Sequence, residues 1–324
     1  MKKYDPIPIE EIKAAQKRIS DSAIRTPLVK LNVEDAPAEI YLKLENLQPI
    51  GSFKIRGASN AMKIADPETL KKGVWTMSAG NHGQGVAWNA RKLGVPCTIH
   101  AFSFTAKTKI EAMKNMGAKI KMIPPLTGMD DIKQIFDPAF YDEEGLCVHP
   151  FSDPAVMAGQ GTIGLEIIED LPDVDAVLIP FGGGGLSCGV ASAIKAVKPD
   201  TKLYGCDAET MPVLTSSFKA GKPVDVEFVP SFISGIGVPF ILPEMWDLAK
   251  RLLDGATVSS MREICDAIRL LAERNRVIAE GAGAVPVAAA LSGKAGSGKV
   301  VCVITGGNID LDKLLKIFQG KIPI

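Results

Sequence analysis

Residues 174–181 form a strand-length apolar run, VDAVLIPF, followed by Gly182, Gly183, Gly184 and Gly185 and then by the helix-like LSCGVA of 186–191. A buried strand, a glycine turn and a helix start in direct succession are the opening of a βα unit. The glycines let several backbone N–H groups converge on one anion, and the helix start adds positive potential. No GK[ST] follows, and the G-x-G-x-x-G spacing fails at Ser187 or Cys188, so a small phosphate monoester suits the loop better than a nucleotide. The pattern repeats along the chain. Strands are expected at 73–77, 96–101, 118–123, 174–180, 202–206 and 299–304. Helices are expected at 9–19, 83–93, 106–116, 155–170, 186–197 and 260–276. Such alternation predicts an α/β protein with largely parallel sheets.

Three further clusters carry chemistry. Lys54 lies in GSFKIRG (51–57), among small and apolar neighbours. Burial there disfavours the ammonium form, and a neutral amine can attack a carbonyl and hold it as a Schiff base. Read alone, a lysine in a Gly-Ser-rich loop is a solvated one. SAGNHGQG (78–85) follows a strand-like run and precedes a helix-like one, a polar helix start suited to a carboxylate. VITGGN (303–308) puts the hydroxyl of Thr305 at the end of a strand, where open α/β sheets collect ligands. The match of GLSCG (185–189) to a nucleophile elbow is set aside, because His82, His100 and His149 all precede Ser187 and that fold needs its histidine after the serine.

The chain of 324 residues is long enough for two lobes. Zero formal charge and 46% apolar content point to no nucleic acid partner. The N-terminus has no apolar segment of signal-peptide type, and the longest apolar run, 282–291, is too short to span a bilayer. The six cysteines form no CxxC pair and read as reduced core thiols of a cytoplasmic protein.

SFKIRGA (52–58), SAGNHGQGVA (78–87), VHPFSDPAVMAGQGTIGLEI (148–167), IPFGGGGLSCG (179–189), AEGAGAV (279–285) and CVITGGNIDL (302–311) stand in one order over nearly the whole chain. Together they resemble the pyridoxal-phosphate enzymes of fold type II, the tryptophan-synthase-β family, and within it the serine/threonine dehydratase and serine racemase branch. The resemblance implies a two-lobed α/β fold, each lobe an open, mostly parallel twisted sheet flanked by helices. A small mobile lobe of 73–147 would be inserted in a large lobe of 1–72 and 148–324. The ending shortly after Thr305 implies no regulatory domain of the biosynthetic threonine dehydratase kind. A homodimer is implied as well.

The resemblance also implies roles. Lys54 holds pyridoxal 5′-phosphate as a Schiff base and, once freed, removes the substrate's Cα proton. Phe53 backs the ring and Gly235 lines its other face. Gly182 to Gly185 and Leu186 bind the phosphate, and Asn81 the ring hydroxyl. Glu280 lies near the ring edge. Thr305 faces the pyridine nitrogen, where a hydroxyl leaves the ring a weaker electron sink than a carboxylate would. Ser78, Ala79, Gly80, Asn81 and His82 grip the substrate carboxylate. The reaction implied is loss of water from a β-hydroxy-L-amino acid of the threonine/serine type, giving a 2-oxo acid and ammonia. Racemases place a serine where this chain has Ala79, which has no proton to give, so a dehydratase is favoured over a racemase. Relatives often bind a cation through an acidic residue after the strand at 202–206. Asp207 matches it, but the second position falls at Val213, with Glu209 nearby, so the metal stays open. Relatives that accept dicarboxylates carry an arginine near Pro138. Phe136, Phe140 and Tyr141 stand in that segment instead, which argues against 3-hydroxyaspartate and leaves open an aromatic pocket of the phenylserine dehydratase kind or plain packing. Other readings are a synthase of the same fold and a non-catalytic protein that binds pyridoxal phosphate or an amino acid.

Overall fold

A computed structural model describes residues 3–102, 105, 107–124 and 128–323. Ten strands run in chain order: β1 (Leu28–Lys30), β2 (Glu39–Lys43), β3 (Val74–Thr76), β4 (Cys97–Ala101), β5 (Lys119–Met122), β6 (Leu146–Cys147), β7 (Ala176–Pro180), β8 (Lys202–Ala208), β9 (Gly255–Ser259) and β10 (Lys299–Val303). They form two sheets. One has six strands in the order β1-β2-β10-β7-β8-β9, parallel except for β1 against β2. The other has four parallel strands in the order β5-β4-β3-β6. This is the expected α/β architecture. Every residue of β7 is buried, as a central parallel strand covered on both faces requires, whereas edge strand β5 buries none of its four residues.

The six expected strands are all present, with β8 extended to Ala208. Five of the expected helices match to within two residues at each end, although residue 106 lies outside the described residues. The sixth ends early. The helix Met261–Leu270 passes into a π turn at Leu271–Asn275, which closes at Arg276 with φ 59°. The largest local departure is at Lys54. It does not sit in a loop but opens the helix Lys54–Ile64. Eight residues of that helix are buried, against the helices Asn81–Leu93 and Pro154–Asp170. The apolar run at 282–291 is the buried helix Gly281–Leu291. No helix among the described residues is long and apolar enough to cross a membrane. All six cysteines are free.

A buried ion cluster fixes the Lys54 helix. Arg56 donates from Nε and Nη2 to Glu45 at 2.8 Å each, and from Nη1 and Nη2 to Glu166 at 2.6 and 2.9 Å. Lys43, at the end of β2, reaches Glu166 at 2.7 Å. Two cations face two carboxylates, and none of the four side chains is more than 4% exposed. Burial pulls the Glu45 carboxyl up, but the Arg56 guanidinium outweighs it and the net direction is down.

Candidate active site

The chemistry-bearing residues converge through contacts of Lys54 with Pro150, Phe53 with Thr305 and Asn81 with Glu280. Lys54 donates from Nζ to Pro150 O at 2.7 Å, and its amine lies 5.3 Å from the centre of the Phe53 ring. The lysine retains some surface, yet the atoms crowded round the amine exclude bulk water. Burial thereby pulls its pKa from 10.5 to about 8. Phe53 is buried and donates its N–H to Thr305 O at 3.0 Å, which ties the lysine to the end of β10. Thr305 is buried, and its Oγ1 has no partner among the described residues.

The glycine loop packs against Phe151, the residue that follows Pro150. A β-carbon on Gly183 would stand 2.2 Å from the Phe151 ring, so the loop passes too close for any other residue. Gly184 turns the chain with φ 91° and caps the helix Gly185–Val197. The first-turn N–H groups of that helix, Leu186 among them, have no intrahelical acceptor, which makes this an anion cradle. Gly182 abuts Gly235 O and Ile236, and Gly235 in turn packs against Ala282 beside Glu280.

The loop at 78–82 starts the helix Asn81–Leu93, with Gly80 before its first turn. Ser78, Gly80 and Asn81 keep partial exposure, while Ala79 is buried. His82 departs from the expected part. Its side chain is turned inward, with Nε2 2.9 Å from Val148 O. Burial and the nearby Lys54 charge hold it well below its usual pKa, so it stays neutral. The loop therefore presents no histidine cation to a ligand. Asn81 donates from Nδ2 to Glu280 Oε1 at 2.7 Å. Glu280 is buried, and burial pushes its carboxyl up to about 7, against the opposing pull of Lys109 and of the Asn81 amide. Lys109 itself reaches from the helix Lys107–Asn115 to Ser234 Oγ at 3.5 Å.

Two points that the sequence left open find partners in the structure. Asp207 serves a helix: its Oδ2 accepts from Thr215 N and Oγ1 at 2.7 and 2.8 Å, in the first turn of the helix Val213–Ala220. Burial pushes its carboxyl up to about 7. Glu209 is turned away and accepts from Met261 N at 2.6 Å. Among the described residues no three His, Cys, Asp or Glu side chains gather as a metal site. Two of the three aromatic residues of 136–141 pack against other elements. Tyr141 stacks on Trp75 and His100 and donates to Ile135 O, Phe140 is exposed, and Phe136 lies against Phe151 and Phe240. Sequence reading assigned no part to Pro150, Phe151 or Asn308. The asparagine stood inside a recognised motif, but nothing local marks the partner it finds.

The family model for pyridoxal-phosphate dependent enzymes matches residues 19–306. The chain belongs to this family. Its cofactor is pyridoxal phosphate. The L-threonine ammonia-lyase of Thermotoga maritima is 44% identical over 97% of this chain and 78% of its own length. Among solved structures, maize serine racemase superposes with a TM-score of 0.88 at 30% identity, covering 96% of this chain and 97% of that one. The processed form of threonine deaminase isoform 2 from Solanum lycopersicum gives 0.85 at 32% identity over 99% and 93%. The donor set of this pyridoxal-phosphate enzyme fits its cofactor. It has an amine of lowered pKa for the aldehyde, a glycine cradle for the phosphate, and an unpartnered buried hydroxyl at Thr305 for the ring nitrogen.

Proposed function

We propose that this enzyme removes water from a β-hydroxy-L-amino acid, L-threonine foremost, to give a 2-oxo acid and ammonia. The observation that carries the reading is the buried Lys54 amine set between Pro150, Phe53 and the glycine cradle. The 44% identical ammonia-lyase supports the choice of threonine. In this reading Lys54 attaches the cofactor covalently, and Gly182 to Gly185 with Leu186 hold its phosphate. Phe53 and Gly235 cover the two ring faces. Thr305 Oγ1 meets the ring nitrogen, and Asn81 with Glu280 meets the ring oxygen. Ser78, Ala79 and Gly80, with the N–H groups of Asn81 and His82, orient the substrate carboxylate. Bound there, pyridoxal phosphate supplies the electron sink for the bond broken at Cα.

Lys54 Nζ takes the Cα proton, and its lowered pKa keeps a useful fraction unprotonated near neutrality. Thr305 offers only a neutral hydrogen bond, which limits charge build-up on the ring and suits elimination over transamination. Ala79 offers no proton to the second face of Cα, which separates this site from a racemase. The strands β3 to β6 form the core of a unit, 73–147, that closes on a larger one of 1–72 and 148–324. The Asn81–Glu280 and Lys109–Ser234 contacts cross between them.

We infer two copies per enzyme. On the helix Leu311–Phe318, Leu314 and Ile317 face inward, while Leu311, Leu315 and Phe318 are 81%, 58% and 43% exposed. An antiparallel pairing of two such helices sets Asp312 of each against Lys316 of the other, and sedimentation of a Leu311→Lys, Leu315→Lys variant tests it. Six free cysteines suit a cytoplasmic protein.

The deciding experiment is an assay of purified protein with L-threonine, L-serine and L-threo-phenylserine, scoring 2-oxo acid and ammonia. L-Threonine is expected to be the best of the three, and no product from any of them sinks the reading. Lys54→Ala is expected to lose all turnover and the borohydride-fixed cofactor. Label mapped to another lysine would overturn the assignment of Lys54.

A further inference from the structure

Asn308 has no part in the mechanism above, yet it joins three segments far apart in sequence. Its Nδ2 lies 2.9 Å from Ile50 O and 2.9 Å from Asn81 Oδ1. Ile50 O is a backbone carbonyl and can only accept, so the atom facing it is the amino nitrogen of Asn308. The same nitrogen gives its second hydrogen to Asn81, so the atom of Asn81 that receives it is the amide oxygen. That leaves Asn81 Nδ2 facing Glu280 Oε1 at 2.7 Å. Turning the Asn81 amide over would set amino group against amino group at Asn308 and oxygen against oxygen at Glu280. The orientation is thus dictated from a peptide carbonyl that cannot flip.

The surroundings are shaped for this arrangement. Gly51 has φ 69°, and a β-carbon there would stand 2.7 Å from Asn308 Oδ1. A β-carbon on Gly306 would stand 2.6 Å from Glu280 Oε1, and Glu280 N donates to Gly306 O at 2.9 Å. The segment 306–308 therefore seats Glu280 at one end and aims Asn81 at the other. The second hydrogen on Asn81 Nδ2 has no acceptor among the described residues. It is what Asn81 offers to a ligand.

We propose that Asn308 is a positioning residue for the cofactor: it holds the Asn81 amide so that the cleft meets an N–H donor and no lone pair, which selects the oxygen of the cofactor ring as acceptor. The proposal rests on the reading of Asn81 as a contact to that oxygen. Asn308 touches neither cofactor nor substrate in this scheme and acts only through Asn81.

The test is equilibrium binding of pyridoxal phosphate to the apoenzyme, followed by absorbance and protein fluorescence without turnover. Asn308→Ala is expected to weaken binding about tenfold, the scale for orphaning one partner of a buried polar pair. Placed in an Asn81→Ala background, the same change is expected to add less than about twofold, because its target is gone. Asn308→Asp keeps the volume but sets a carboxylate against Ile50 O and Asn81 Oδ1. Asn81 then turns over and Glu280 keeps its proton to higher pH. The pH midpoint of the bound cofactor's visible absorbance is expected to rise relative to Asn308→Ala, a signed shift that a purely structural loss would not produce. Asn308→Asp also carries the binding cycle if the alanine variant fails to fold. Additive losses in the cycle, or an unshifted midpoint, overturn the proposal alone. Unchanged affinity in Asn81→Ala by itself overturns the reading of Asn81 and the proposal with it.

Discussion

Arg56→Leu tests how the Lys54 helix is held. The substitution removes four hydrogen bonds to carboxylates and two more to Thr162 Oγ1 and Ile24 O, and leaves Glu45 and Glu166 buried with Lys43 as the nearby cation. Removing one partner of a buried ion cluster costs about 3–5 kcal/mol, because the remaining charge is stranded out of water. For a chain of this size that corresponds to a fall in Tm of roughly 4–7 °C. The pH dependence separates this cause from lost packing. In the unaltered protein Glu45 lies below its ordinary value of 4.5, burial being outweighed by Arg56. Its stabilisation is present above 4.5 and fades as pH falls through the lower native value. In the variant burial acts unopposed by the guanidinium, so Glu45 is easier to protonate when folded than when unfolded. The deficit against the unaltered protein is therefore expected to be full near pH 8 and to shrink toward pH 5. Calorimetry of both proteins across that range measures it. A loss below about 1 kcal/mol, or a deficit that does not change with pH, refutes the argument that paired charge holds this helix in place.

Three more outcomes follow from the site. Covalent capture of pyridoxal phosphate by the apoenzyme is expected to speed up as pH rises through about 8, because only the neutral Lys54 amine is a nucleophile; a stopped-flow series with a pH-independent rate would contradict the lowered pKa. Thr305→Ala is expected to lower kcat/KM by roughly 2- to 13-fold at full cofactor loading, since a neutral hydrogen bond contributes about 0.5–1.5 kcal/mol net. Ala79→Ser is expected to add detectable D-serine to the elimination products of L-serine, scored by chiral chromatography; abundant D-serine from the unaltered protein would remove Ala79 from the argument.

Local patterns in the sequence determined much of this protein. The apolar run before Gly182 had to be a central strand, and the alternation of strands and helices a parallel α/β fold. Those signals are local because backbone hydrogen bonding and burial periodicity act over a few residues. The collinear motifs named the family for the same reason. What the sequence left undecided depends on strand order. β10 lies between β2 and β7, and this brings Thr305 to Phe53 and Asn308 to Ile50 across some 250 residues. Lys54 read as a loop residue because its helix is held by Glu45 and Glu166, neither within helical reach of Arg56. His82, in a polar motif, turned inward to the carbonyl of Val148, which only the packing of the small sheet supplies. Asp207 was open as a metal candidate in the sequence, and Thr215 is the partner that the fold brings to it. In each case the residue type was legible and its partner was not, because the partner is set by which strands lie side by side.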